Sequence, residues 1–108
     1  MSTLEKMQKN GITVCYEDIV DLCNKYRIKE LSIFGSAIRD DFHDQSDIDI
    51  LVSYINIHKK SLDDFINIEH DFYQLLQRKS HIVEIEAIKN PIRREDILAE
   101  REIVYVYQ

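Results

Sequence analysis

Two short runs carry the side chains best suited to chemistry: Gly35-Ser36-Ala37-Ile38-Arg39 and Ser46-Asp47-Ile48-Asp49-Ile50-Leu51-Val52. The first follows a strand-like stretch that ends at Phe34, and its Gly-Ser pair opens a helical turn. Glycine lets backbone approach a ligand closely, and the free N–H groups of a helix start suit an anion such as phosphate. Ser36 adds a hydroxyl donor. Arg39, one turn later, adds a forked cation that matches phosphate oxygens. In the second run Asp47 and Asp49 stand two apart in a strand pattern, so both carboxylates leave one face. Carboxylates so placed repel each other unless a cation lies between them. A few hard oxygen donors suit Mg²⁺ (or Mn²⁺) shared with substrate phosphates. A phosphate cradle beside a carboxylate pair is the layout of two-metal phosphoryl or nucleotidyl transfer. Alone, the first run is a plain turn and the second a pair of solvated acids; together they ask for a site. An EF-hand loop is excluded, because Ile48 and Ile50 alternate with the acids where such a loop needs polar residues and glycine. Asp40, Asp41 and Asp44 lack the strand register and read as solvated loop acids.

The elements that must position these residues are legible as alternating patterns. Residues 1–12 are polar and form a loose or short helical lead-in. Tyr16, Ile19, Val20, Cys23 and Tyr26 recur at helical spacing, with Glu17 and Asp18 early and Lys25 and Arg27 late, as a helix dipole favours. Leu31 to Phe34 is a short strand and Ile48 to Tyr54 a second. Ser61 and Asp64 give a helix start signal, and Leu62, Phe65, Ile68, Phe72, Leu75 and Leu76 form one stripe before Arg78-Lys79. Residues 81–86 are a third strand. Asn90-Pro91 is an N-cap followed by proline at the first helical position, opening a helix to about Arg101. Residues 103–107 close the chain as a strand. The class is α/β (α+β), a small mixed sheet packed with helices in a single domain of residues 1–108.

At 108 residues the chain can bury roughly 65% of its unfolded surface, enough for one modest core. A 44% apolar and 31% charged composition is that of a soluble globular protein. No apolar run reaches the roughly 18 residues of a membrane span, and the N-terminus is not a signal peptide. The formal net charge of −6 argues against direct nucleic-acid binding. Cys15 and Cys23 have no ligand-spaced partner and read as reduced thiols of a cytoplasmic protein. Lys59-Lys60, Arg78-Lys79 and Arg93-Arg94 are solvated surface or a rim that meets phosphates or an acidic partner. Tyr105 and Tyr107 read as packing residues, and His43, His58 and His70 as surface.

GSxxR followed by SDxDxLV resembles the signature of the DNA polymerase β-like nucleotidyltransferases, and the short length resembles their smallest branch, the minimal nucleotidyltransferases (MNT). The stretch from Lys79 to Arg94, including Ala87-Ile88-Lys89-Asn90-Pro91, is similar to the C-terminal half of that branch, so the resemblance runs from about Tyr16 onward. It implies a polymerase β-like fold in which Asp47 and Asp49 bind Mg²⁺. It further implies that Gly35 and Ser36 hold a nucleoside triphosphate such as ATP, that Arg39 lies close to the phosphates, and that Ser46 orders the loop before the acids. MNT proteins pair with HEPN-domain proteins as toxin and antitoxin, so the resemblance also implies AMP transfer from ATP to a tyrosine of a HEPN ribonuclease, in a hetero-oligomer. Homo-oligomerisation stays open.

The family places a third acid on a neighbouring strand, ahead of an A-[LI]-K-N-P stretch. Counting back from Asn90-Pro91 puts His81 there. Strand parity agrees: His81 shares a face with Val83 and Ile85, as Asp49 does with Leu51, whereas Glu84 and Glu86 face the other way. His81 is a catalytic base or metal ligand, or the mark of a weakened transferase, or an incidental change with Glu84 or Glu86 swinging in. Three functions therefore stand: a transferase acting on a protein hydroxyl, an antitoxin that silences its partner by contact alone, and a small-molecule nucleotidyltransferase.

Overall fold

Ser2 opens the first helix, α1 (Thr3–Lys9): its hydroxyl accepts the Glu5 N–H, and the Glu5 carboxylate accepts the Ser2 N–H in return. The computed structural model describes residues 1–55 and 62–108. In it the lead-in is a docked helix and not a loose segment. Met7 and Ile12 are 1% and 3% exposed, and Thr3 and Lys6 both bond Glu102 near the far end of the chain. The apolar pair was too short to show a helical period, which is why composition alone read this stretch as polar.

Helix α2 (Tyr16–Tyr26) buries Ile19, Cys23 and Tyr26 and stops at Arg27, whose φ of 55° is left-handed. Then come strand β1 (Ile28–Phe34), a 3-10 turn over Gly35–Ile38, strand β2 (Ile48–Tyr54), helix α3 (Leu62–Leu76) and strand β3 (Ser80–Glu84). A second 3-10 turn (Ile85–Ala87), helix α4 (Pro91–Glu100) and strand β4 (Glu102–Val106) complete the fold. The Ser61 start signal, His58 and Lys59-Lys60 lie outside the described residues. Ile85 and Glu86, expected in the third strand, belong to the turn after it. Asn90 caps α4 as expected, accepting the Ile92 and Arg93 N–H groups ahead of Pro91.

The strands form one mixed sheet in the order β3-β2-β1-β4, with β2 and β3 parallel and the other pairs antiparallel. Alternation along β2 divides its side chains between two cores. Ile48, Ile50 and Val52 join the larger one with Met7, Ile19, Cys23, Ile68 and Phe72 from the first three helices. Leu51 joins the smaller one with Phe34 and Ile97, under α4. The α3 stripe is only partly core: Ile68, Phe72 and Leu76 are buried, while Leu62 is 74% exposed. Tyr105 packs, but Tyr107, expected to, is exposed. Both cysteines are free; burial pushes the Cys23 thiol up to about 12, whereas Cys15 is exposed and donates to Glu17. No helix among the described residues is long and apolar enough to cross a membrane.

If α1 is an integral part of the fold, Met7→Ala should cost about 2–5 kcal/mol of unfolding free energy, the usual loss for a buried Met truncation. Urea denaturation measures this. A change within about 0.5 kcal/mol, the range of ordinary surface substitutions, would show α1 undocked in solution.

Candidate active site

The site lies on the α4 face of the sheet. Phe34 and Asp49 are partners in the β1–β2 ladder, so the chain leaves β1 directly against the Asp49 carboxylate. Gly35, the next residue, has φ +78°, and a Cβ there would collide with Asp49 Oδ2. Only glycine meets both demands, the left-handed backbone and the close approach. The 3-10 turn that follows is tied down by Asn10, whose side-chain amide donates to the carbonyls of Ala37 and Arg39, each at 2.9 Å. Ser36 is half-buried on this turn.

Asp47 stands one residue ahead of β2, and Asp49 is the second residue of that strand. Burial holds the Asp49 carboxyl above its ordinary value; the His81 imidazole pulls it down, the charges of Asp47 and Glu100 push it up, and Arg39 pulls it down. Ser46 is bonded to the start of the loop before the acids: its hydroxyl accepts the His43 N–H, and its own N–H bonds the His43 carbonyl at 2.9 Å. Arg78 clamps the same loop. Its guanidinium donates to the carbonyls of Ser46 and His43 and lies over the Phe42 ring. It is therefore a brace and not a solvated or phosphate-facing cation.

The parallel β2–β3 ladder sets His81 opposite Asp49. Nδ1 of His81 is 3.7 Å from Asp49 Oδ1, too long for a hydrogen bond but within ion-pair reach when the imidazole is protonated. Glu84 pairs with Val52 further along the ladder. Its charge and that of Glu86 fall on Tyr54, whose phenol is held well above its usual value by burial first and then by these acids. Glu84, opposite Val52 in the ladder, alternates away from the face that His81 shares with Asp49, and Glu86 lies on the 3-10 turn beyond the strand.

Two open cavities meet here. One, of about 560 Å³, is lined by Phe34, Gly35, Arg39, Asp49, Arg93 and Glu100, among others. The other, of about 460 Å³, holds His81 with Phe65, Val83 and Ile88. Asn90 and Arg93 border both, which makes Arg93 a rim residue and separates it from Arg94, whose guanidinium donates to the Ile85 carbonyl. Asp41 is not merely solvated: it holds Arg39 at Nε (3.0 Å) and at a terminal nitrogen (3.2 Å). Glu100 is the residue the sequence reading missed. It accepts the Gly35 N–H at 3.0 Å and also bonds Arg39. Its signal was the spacing Arg93, Ile97, Glu100, which puts all three on one face of α4.

Among the described residues no group of three or more His, Cys, Asp or Glu side chains could by itself hold a metal ion. The chemistry of the donor set still fits a Mg²⁺ ion shared with a substrate. Asp49 is a half-buried carboxylate with an acidic neighbour in Asp47, and Mg²⁺ ordinarily takes one or two carboxylates plus phosphate oxygens and water.

A family profile described as "Polymerase beta, Nucleotidyltransferase" matches residues 17–108. Over 106 residues the chain is 33% identical to the protein adenylyltransferase MntA of Thermococcus cleftensis, covering 98% of each chain. Its fold is similar to that of a toxin–antitoxin crystal structure with AMP-PNP, at TM-score 0.70 and 15% identity over 88% of this chain and 76% of that one. It is also similar, at TM-score 0.62 and 15% identity over 94% and 74%, to a structure of a tri-AMPylated Shewanella oneidensis HEPN toxin in complex with its MNT antitoxin. A four-stranded mixed sheet with four helices, carrying a Gly-Ser turn against a strand-borne aspartate, is the polymerase β-like nucleotidyltransferase fold. The chain belongs to the polymerase β nucleotidyltransferase family, in its MNT branch.

Asp49 keeps its proton to higher pH when folded than when unfolded. The folded state then binds more protons, and stability falls as pH rises above roughly 3.9. Asp49→Asn should accordingly raise the melting temperature at pH 7, with the gain shrinking toward pH 3–4. An Asn variant that melts below the parent at pH 7 would contradict this. Gly35→Ala should lose about 1–3 kcal/mol or more, from backbone strain and the clash with Asp49, read by the same melts.

Proposed function

We propose that this chain is an antitoxin-type protein adenylyltransferase that moves AMP from ATP to a tyrosine of a HEPN toxin partner. One observation carries the reading: the Asp49 carboxylate, beside Asp47, opens into the same cavity as the Gly35 backbone and Arg39. Anion donors and a cation-binding carboxylate thus share one space, as transfer from a nucleoside triphosphate requires. The 98% mutual coverage with a protein adenylyltransferase supports the activity, and the likeness to a complex of AMPylated HEPN toxin and MNT antitoxin supports the partner.

The Gly35 N–H, the Ser36 hydroxyl and the Arg39 guanidinium hold the phosphates, and Ser46 keeps the loop that aims Asp47. Asp47 and Asp49 would hold Mg²⁺ (or Mn²⁺), whose charge, when bound, lowers the cost of the attacking oxygen and of the leaving pyrophosphate. The partner's phenolic oxygen forms a bond to the α-phosphorus of ATP as the bond from that phosphorus to the bridging oxygen breaks, releasing pyrophosphate. A free tyrosine has a pKa of about 10, so its proton needs an acceptor. His81 stands beside Asp49 with its side chain 64% exposed, open to a group on another protein, and its imidazole takes that proton. Positioning and fixed charge supply much of the rate gain.

A second reading has its own observation: a histidine, not an acid, stands opposite Asp49 where the family has its third carboxylate. In that reading the chain is a weakened transferase that silences its partner by contact.

The test is to incubate the chain with its HEPN partner and ATP and to weigh the partner by mass spectrometry. One or more AMP units on tyrosine are expected, lost with EDTA and reduced at least about 100-fold in Asp47→Asn/Asp49→Asn. His81→Asp separates the two readings: a fall in transfer makes the imidazole the working group. No transfer by the parent, with transfer by His81→Asp, makes the parent a binding antitoxin.

A further inference from the structure

We propose that Glu100 is an internal stand-in for phosphate, a specificity-determining residue that a nucleotide must displace before it occupies the Gly35–Arg39 cradle. The inference rests on the reading above only for where the phosphates bind. The Glu100 carboxylate accepts the Gly35 N–H at 3.0 Å and bonds Arg39 with the same oxygen, Oε1. Those are two of the three donors assigned above to the phosphates, the Ser36 hydroxyl being the third. A carboxylate oxygen and a phosphate oxygen make the same kind of charge-assisted bond to an amide and a guanidinium, so they compete for one place.

The geometry makes the competition reversible. Glu100 is the last residue of α4, its side chain is 35% exposed, and Arg39 keeps its second partner, Asp41, when Glu100 leaves. No ion pair of Glu100 other than that with Arg39 is found among the described residues. Displacement therefore breaks two bonds, leaves the Arg39–Asp41 pair in place and sends the carboxylate into the open cavity.

The consequence is discrimination by charge and denticity. An anion competing with a tethered carboxylate binds with its intrinsic dissociation constant divided by the fraction of molecules in which the cradle is free. A triphosphate, with several oxygens to set against one carboxylate, overcomes this handicap more readily than a monophosphate. After transfer, Glu100 returns to the cradle against the departing pyrophosphate and shortens its stay.

The probe is inorganic tripolyphosphate in EDTA, titrated by calorimetry into the full chain, so that neither metal nor catalysis enters. Glu100→Gln should bind it about fivefold more tightly than the parent, corresponding to a cradle free in about one molecule in five. Glu100→Asp, which keeps the charge on a shorter arm, should also bind more tightly than the parent. Equal or weaker binding by folded Glu100→Gln overturns the proposal. A lowered melting temperature without tighter binding would make Glu100 a mere strut between α4 and the turn, and overturns it too. In the parent, adding tripolyphosphate should shift the Gly35 amide and the Glu100 carboxyl ¹³C resonances together. A Gly35 shift with Glu100 unmoved counts against the proposal even if the variants fail to fold. Failure of AMP transfer to a HEPN partner leaves these binding results standing, so the two readings fall separately.

Discussion

The approach of the Gly35 backbone to the Asp49 carboxylate is the constraint on which the site depends. It follows from a single rung of the sheet, Phe34 opposite Asp49, with His81 opposite Asp49 on the other side. A slip of one residue in either ladder would turn Asp49 toward the larger core and Ile50 toward the cavity. The apolar alternation Ile48, Ile50, Val52 prevents that slip, because each of these side chains is at most 1% exposed. The register that packs the core is the register that exposes the chemistry. Glycine at 35 removes the one atom that would keep the two strands' ends apart.

The two faces of the sheet do different work for this reason. Three helices cover one face and bury most of the large apolar side chains, while α4 covers the other with a small cluster around Ile97. That asymmetry leaves room for polar groups above β1 and β2. It also carries a cost. Asp49 is a carboxylate partly withdrawn from water with acids nearby, a placement that opposes folding at neutral pH. Braces around the site hold it in place: Asn10 on the Gly-Ser turn, Arg78 on the loop before Asp47, and Asn90 at the start of α4.

How much of this was legible depended on the range of the interaction. The Gly-Ser turn, the aspartates and the Asn90-Pro91 cap are local, written in adjacent residues, and they stand where their types place them. His81 was reached by counting back from Asn90-Pro91 on the family resemblance, with strand parity in agreement, and the ladder sets it opposite Asp49. Most of what stayed hidden is non-local. Arg78 looked like surface because the carbonyls it binds are more than 30 residues away; the Arg39–Asp41 pair is local, two residues apart, but spacing alone does not fold one side chain onto the other. Glu100 lies 65 residues beyond Gly35, on a helix whose docking angle no local pattern specifies. The segment of residues 3–9 stays open between a loose and a short helical lead-in because its burial rests on Met7 and on Ile12 beyond its end, too few apolar positions to make a period.

The distribution of charge bears on what the cavity can accept. Asp49, Asp96 and Glu100 line it against Arg39 and Arg93, and Arg39 is already paired with Asp41 and Glu100. The chain as a whole carries a formal −6. A bare polyanion in such a cavity meets the repulsion of these carboxylates as well as the attraction of the two arginines, so the acids weaken its binding. A polyanion that arrives with a divalent cation reverses the balance, since the carboxylates then become its partners. An acidic cavity and a polyphosphate are therefore matched best when a cation is shared between them. Under the proposed function, the carboxylates would favour phosphate chains that carry a cation, and the basic groups would set their orientation.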